Sequence, residues 1–267
     1  MTSKEHSPNS SESFRTTRLI AQDFDGTIAQ TFQKSPSGIG VEEATEQAVD
    51  QVFGPLSTDR YRNNGGLRNR APLEVVQELS PLVSAQEIQS LLARLIVSKL
   101  DILMTEIGTT FDDGTVWPRP VAGYIEFLES LQQARTEGQH IDTLILSSGH
   151  EPFIKKVYET WDITEPEYII GQETTEERGL GNVVKPSSTL MKLAHRVWSE
   201  GYGLSPSFIG FQLAKSRTLY VGDDDNKDGQ LARNSGVKFA LIESSDTAEA
   251  WKKVANDLQF GNNHDNA

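Results

Sequence analysis

Five short stretches of the chain are almost continuously apolar: Leu19–Ala21, Thr143–Leu146, Tyr168–Ile170, Thr218–Val221 and Lys238–Ile242. A strand with one wet face alternates apolar and polar side chains, whereas a strand covered on both faces does not. These runs therefore predict buried strands of a parallel sheet. Between and after them the apolar spacing changes to three and four residues. Ile154, Val157, Tyr158 and Trp161 share one helical face, and Leu190, Leu193, Ala194 and Val197 share another. Trp251, Val254, Ala255 and Leu258 mark a terminal helix, opened by the cap-like run Ser244-Ser245-Asp246. Strands alternating with helices predict an α/β protein built on a doubly wound, mainly parallel sheet.

The alternation is interrupted once, between the first and second strands. Val41–Phe53 and Ala71–Leu79 have helical spacing, the second with Pro72 in its first turn. Ser84 and Glu87 form the ends of a capping box, from which a long helix runs through Ile88, Leu91, Leu92, Leu95, Ile96 and Leu103. A helical insertion of this length has apolar faces of its own to bury. It is expected to form a second small domain over residues 33–117, with residues 18–32 and 118–259 as the core. Val116–Pro120, with its two prolines, is the expected return linker. The polar ends, 1–17 and 260–267, are expected to be disordered tails.

Composition narrows the choice of chemistry. The 267 residues include no cysteine, which excludes a disulfide scaffold, a thiolate metal site and a cysteine nucleophile. A net charge of −13 repels nucleic acid and anionic membrane over most of the surface, so neither is an expected partner. A small phosphate ester still binds where cationic groups are concentrated. The N-terminal stretch lacks the apolar core of a signal peptide and no run is long enough to span a bilayer, which makes the cytoplasm the expected location.

Four polar signals punctuate this framework, three of them directly at strand ends. Asp23-Phe24-Asp25-Gly26-Thr27 follows the first strand. Ligands of open parallel sheets sit outside the carboxyl ends of the strands, where two carboxylates one residue apart can divide nucleophilic and proton-transfer work. Ser147-Ser148-Gly149 ends the second strand and offers a hydroxyl and loop N–H groups to phosphate oxygens. Lys185, before Pro186, offers a fixed cation. Gly222-Asp223-Asp224-Asp225-Asn226-Lys227-Asp228 follows the fourth strand, and so many acids at one strand end call for a cation such as Mg2+. Asp224, Asn226, Asp228 and Gly229 also match the start of an EF-hand loop. Ser235, however, stands where that loop needs a bidentate glutamate, and a helical pattern begins directly after Gly229.

In this order the four signals resemble the haloacid dehalogenase (HAD) superfamily, in its phosphatase branch with a helical cap of the first type. The resemblance covers residues 18–32 and 118–243, including Pro120…Gly123 with Phe127-Leu128 before the second strand and Ala232…Gly236 after the acidic run. It implies a Mg2+-dependent phosphohydrolase acting on a small phosphorylated metabolite. Asp23 would be the nucleophile that forms an aspartyl-phosphate, and Asp25 the general acid and base. Thr27, Ser147, Ser148 and Lys185 would bind the phosphoryl group. The metal would be held by Asp23, the backbone carbonyl of Asp25 and Asp223, supported by Asp228 or by Asp224; the spacing leaves both readings open. A phosphomutase on the same scaffold, or a silent module that binds phosphorylated ligands, are the alternatives. The insertion falls where this superfamily places its cap. Within it Arg60, Arg62, Arg68 and Arg70 lie in a Gly- and Asn-rich stretch, read here as a substrate-recognition loop.

Overall fold

The structure is a computed structural model that describes residues 10–66, 72–181, 183–205 and 208–260. Its centre is a five-stranded parallel sheet of β1 (Arg18–Gln22), β2 (Ile141–Leu146), β3 (Tyr168–Ile170), β4 (Thr218–Gly222) and β5 (Lys238–Leu241), in the order β3-β2-β1-β4-β5. β1 is preceded by α1 (Ser10–Thr16) and followed by α2 (Val41–Phe53), α3 (Pro55–Asn63), α4 (Pro72–Leu79), α5 (Ala85–Glu106) and α6 (Tyr124–Thr136). β2 leads into α7 (Glu151–Thr160), and β3 into α8 (Gln172–Glu177), α9 (Ser188–Gly201) and α10 (Phe208–Ser216). β4 leads into a single π turn (Asp225–Gly229) and α11 (Gln230–Ser235), and β5 into α12 (Thr247–Phe260). The five strands coincide with the five apolar runs, and every residue of β2 is buried, as a strand covered on both faces requires.

The described residues fall into two compact units. One comprises those within Met1–Ala29, Pro120–Gly149 and Pro166–Ala267, and the other Gln30–Arg119 with His150–Glu165. In the first unit, Leu19, Ala21, Leu144 and Leu146 pack against Leu190, Leu193, Ala194 and Trp198 of α9. Tyr124, Phe127 and Trp251 join α6 to α12, with ring centroids 4.7 Å apart for the last pair. The close fit explains Gly123: its φ is 90°, and a Cβ there would lie 2.7 Å from the Cα of Ala248. The expected disorder of 1–17 is corrected for Ser10–Thr16, which is helical. One apolar residue among polar neighbours gives no periodic signal, yet Phe14 is buried with its ring centroid 4.6 Å from that of Trp198. Residues 1–9 and 261–267 lie outside the described residues.

The second unit buries Ala48, Val49, Tyr61, Val75, Val76 and Leu95, contributed by α2, α3, α4 and α5. Ser84 caps α5 as its sequence predicts, accepting from the N–H of Glu87 while the Glu87 carboxylate accepts from the N–H of Ser84 at 2.9 Å. Helix α3 corrects the reading of its arginines as part of a loop. Its composition is mostly polar, but Pro55 sets the first turn and Tyr61 anchors it in the core. Arg60 and Arg62 therefore sit in the last turn of a helix, while Arg68 and Arg70 lie outside the described residues. His150–Glu165, expected in the core, falls with this unit instead. Trp161 donates Nε1–H to the carbonyl of Pro118 at 2.7 Å, and Phe153 packs near Trp117. Among the described residues, no helix is long and apolar enough to cross a membrane.

Candidate active site

All of the strand-end signals lie in the first unit, at the carboxyl ends of β1, β2 and β4. The chain runs from β1 to β2 on one side and reaches β4 on the other. The ends of β1 and β4 thus flank the point where the strand order reverses, the usual ligand crevice of such sheets. Asp23 continues the ladder there, donating its N–H to the carbonyl of Val221 at 2.9 Å. Gly26 then turns the chain with φ 81°, and a Cβ at this position would lie 2.5 Å from Oδ2 of Asp223. A side chain is excluded twice, by conformation and by the approaching carboxylate. Thr27, fully buried, donates its hydroxyl to Oδ1 of Asp223 at 2.9 Å, so it orients that carboxylate.

Asp23, Asp223 and Asp228 converge, each offering one oxygen within 4.8 Å of the others. Lys185 lies among them, with Nζ 2.6 Å from Oδ1 of Asp23 and 2.9 Å from Oδ1 of Asp228. Lys185 and Asp228 are almost enclosed, their side chains 6% and 1% exposed. Asp228 reaches this position because Gly222 has no side chain; a Cβ there would lie 2.4 Å from both Cβ and Cγ of Asp228. Oδ1 of Asp228 also accepts the hydroxyl of Tyr220 at 3.0 Å, and Oδ2 accepts the N–H of Asp224 at 3.3 Å. Asp224 has a different task. Its carboxylate caps the π turn, accepting from the N–H groups of Asn226 and Lys227 at 2.9 and 3.2 Å. Of the two acids left open by the sequence, Asp228 belongs to the cluster.

Asp25 and Ser147 form a second group beside the first. A Cβ at Gly149 would lie 3.2 Å from Oγ of Ser147 and 3.5 Å from Oδ2 of Asp25, so this glycine separates a carboxylate from a hydroxyl. Ser147 is buried, extends the sheet by donating its N–H to Ile170 O, and accepts the N–H of Gly149 at 2.9 Å. Ser148 is exposed. Arg60 and Arg62, in the second unit, pair with carboxylates of that unit: Arg60 with Glu78 at 3.7 Å and Arg62 with Glu46 at 2.8 Å. Tyr220, inside an apolar run, gives no sign in the sequence of its contact with Asp228. Gly222 opens the acidic run, but its reason, the carboxylate pressed against it, shows only in the structure.

The electrostatics of the cluster show a shortage of positive charge. Burial pushes the Asp23 carboxyl well above the usual range, and Asp228, Asp223 and Asp25 push it further, against the opposing pull of Lys185. Burial also raises Asp223, against the lowering hydrogen bond from Thr27. Burial by itself would discharge Lys185, but Asp23, Tyr220 and Asp228 hold its ammonium well above the ordinary value. Burial thus raises Asp23 by more than the ammonium, which also pairs with Asp228, lowers it. An oxygen-only donor set with uncompensated negative charge fits a hard divalent cation such as Mg2+. Asp23, Asp223 and Asp228 are the carboxylates grouped closely enough to hold one ion.

No family model matches the chain, and no curated protein matches it in sequence. Solved structures do match. CbbY from Rhodobacter sphaeroides, crystallised with phosphate, superposes with a TM-score of 0.50 at 16% identity, over 85% of this chain and 86% of that one. A HAD phosphatase from Thermococcus onnurineus gives 0.43 at 16% identity, covering 85% and 86% of the two chains. L-2-haloacid dehalogenase from Xanthobacter autotrophicus gives 0.43 at 17%, covering 84% and 77%. Identities this low bear on fold alone. The chain has the fold of the haloacid dehalogenase-like hydrolases.

Proposed function

We propose that the chain is a Mg2+-dependent phosphohydrolase that works through an aspartyl-phosphate on Asp23. The observation that carries this reading is the separation of the acids into two groups. Asp23 sits in the cluster with Lys185, Asp223 and Asp228, while Asp25 lies outside that cluster beside Ser147. A nucleophile and a proton carrier need such different surroundings.

Phosphoryl transfer is mainly positioning and charge neutralisation. Bound Mg2+, held by Asp23, Asp223 and the backbone carbonyl of Asp25, would neutralise phosphoryl charge as a Lewis acid. Lys185 and Ser147 bind phosphoryl oxygens, and Lys185 together with the bound cation would hold Asp23 as an anion. A carboxylate oxygen of Asp23 attacks phosphorus in line, forming the Asp23–phosphorus bond as the bond to the ester oxygen breaks. Asp25 gives its proton to that departing oxygen. Asp25, now a carboxylate, takes a proton from a water that attacks phosphorus, which releases inorganic phosphate and restores Asp23. A dehalogenase would leave Asp25 without its role as an acid, because cleaving a carbon–halogen bond needs no proton at the departing halide.

Hydrolysis of p-nitrophenyl phosphate tests the proposal. Release of p-nitrophenol with Mg2+ that stops with EDTA is the expected result. Full activity after exhaustive chelation, or halide release from 2-chloropropionate without phosphatase activity, contradicts it.

A further inference from the structure

We propose that Tyr220 is a positioning residue for Lys185: its buried hydroxyl occupies Asp228, so that the one ammonium of the cluster is held on Asp23. The inference deepens the reading above, in which Lys185 is the cation beside the nucleophile.

Lys185 stands between two carboxylates that compete for it, Asp23 at 2.6 Å and Asp228 at 2.9 Å. Which one holds the ammonium depends on how far each is already neutralised by other donors. Asp228 is shut away from water, so its charge depends on the groups packed against it. The backbone of Asp224 reaches Oδ2 at 3.3 Å, a long contact. On Oδ1, the atom that also takes Lys185, the additional donor is the hydroxyl of Tyr220 at 3.0 Å.

The location of Tyr220 allows this work. It is fully buried on β4, and the alternation of the strand directs its side chain to the opposite face from Leu219 and Val221. Its ring stacks near Phe239 at 6.4 Å between centroids, and Nζ of Lys185 lies 5.6 Å from the ring centre. A phenylalanine would keep all of the ring packing and lose only the hydroxyl. Asp228 would then bear more uncompensated charge on Oδ1 and draw the ammonium toward itself. Asp23 would lose its partner, and the phosphoryl group its cation.

The test is Tyr220→Phe, read by crystal structure and by kinetics. The variant is expected to fold with Nζ of Lys185 moved out of hydrogen-bonding range of Asp23. Its kcat on p-nitrophenyl phosphate should fall about tenfold or more, the scale of a hydrogen bond to a charged group, with KM changed less. In an Asp228→Asn background the competing charge is gone, so the same substitution should cost about twofold or less. A purely structural tyrosine would lose the same factor in both backgrounds. An unmoved Lys185, an unchanged kcat, or an equal loss in both backgrounds overturns the inference. If the wild type hydrolyses no phosphate ester, the proposed function fails, and the position of Lys185 in the Tyr220→Phe structure still decides the role of Tyr220.

Discussion

The two units handle charge in opposite ways. At the strand ends of the first, Lys185 is 6% exposed and is held by two carboxylates, one of them enclosed and further held by Tyr220. On α3 of the second, Arg62 reaches Glu46 at a similar distance, 2.8 Å, but its side chain is 54% exposed. The pairs look alike by geometry and differ in surroundings. Water and salt screen the surface pair, and its long side chains lose freedom to form it. The enclosed group has no such screening, and removing one member leaves another charge stranded. Ion-pair distance alone therefore says little about function here; enclosure and shared partners separate the two regions.

Substitutions test this contrast, beginning where the effect is largest. Asp23→Asn keeps shape and removes the nucleophile, so turnover should fall by at least about four orders of magnitude. A variant that retained a measurable share of wild-type kcat would place the nucleophile elsewhere. Lys185→Met leaves Asp23 and Asp228 without their ammonium and should cost about 3–5 kcal/mol of stability, measured by urea unfolding. A loss no larger than that of a surface variant would erase the distinction between the regions.

His195 extends the test to a buried group that forms no ion pair among the described residues. It is 2% exposed, and its Nε2 lies 2.9 Å from the hydroxyl of Thr218. Burial, with a smaller contribution from Lys215, lowers its pKa from 6.5 to about 4. The unfolded imidazole takes up a proton first as pH falls. The stabilisation is thus complete above pH 6.5 and is lost as the pH drops toward 4, by about 3 kcal/mol. His195→Gln should flatten this part of the stability profile, and an unchanged slope would contradict burial as its cause. The smallest effect belongs to Arg62→Ala, whose unfolding midpoint should match the wild type at low and high salt. A marked loss would mean that this pair is not a screened surface contact.

The sequence made some of this legible and hid the rest for physical reasons. Strands covered on both faces are continuously apolar, so all five could be read directly. Asp23 and Asp223 follow such strands immediately, which places them at one sheet edge before any coordinates are known. Phe14 is a single ring in a polar stretch, and its burial depends on Trp198 far along the chain. Helix α3 has too little apolar content to show a period, and depends on Pro55 and Tyr61. The grouping of His150–Glu165 with the second unit follows from contacts such as Trp161 with Pro118, between residues distant in sequence. In sequence Tyr220 is only part of an apolar run, because its hydroxyl matters only when Asp228, in the π turn that follows, comes back over Gly222.

The identity of the nucleophile is tested most directly by trapping it. The protein is mixed with p-nitrophenyl phosphate and Mg2+, quenched in acid within one turnover, digested, and its peptides are analysed by mass spectrometry. An Asp25→Asn variant runs in parallel with a dinitrophenyl ester, whose leaving group needs no proton, so that breakdown of the intermediate is slowed selectively. A phosphoryl group on the peptide carrying Asp23, absent from the Asp23→Asn protein, is the predicted result. Phosphate release from the wild type with no labelled Asp23 peptide in either protein, or a label on another residue, would contradict it.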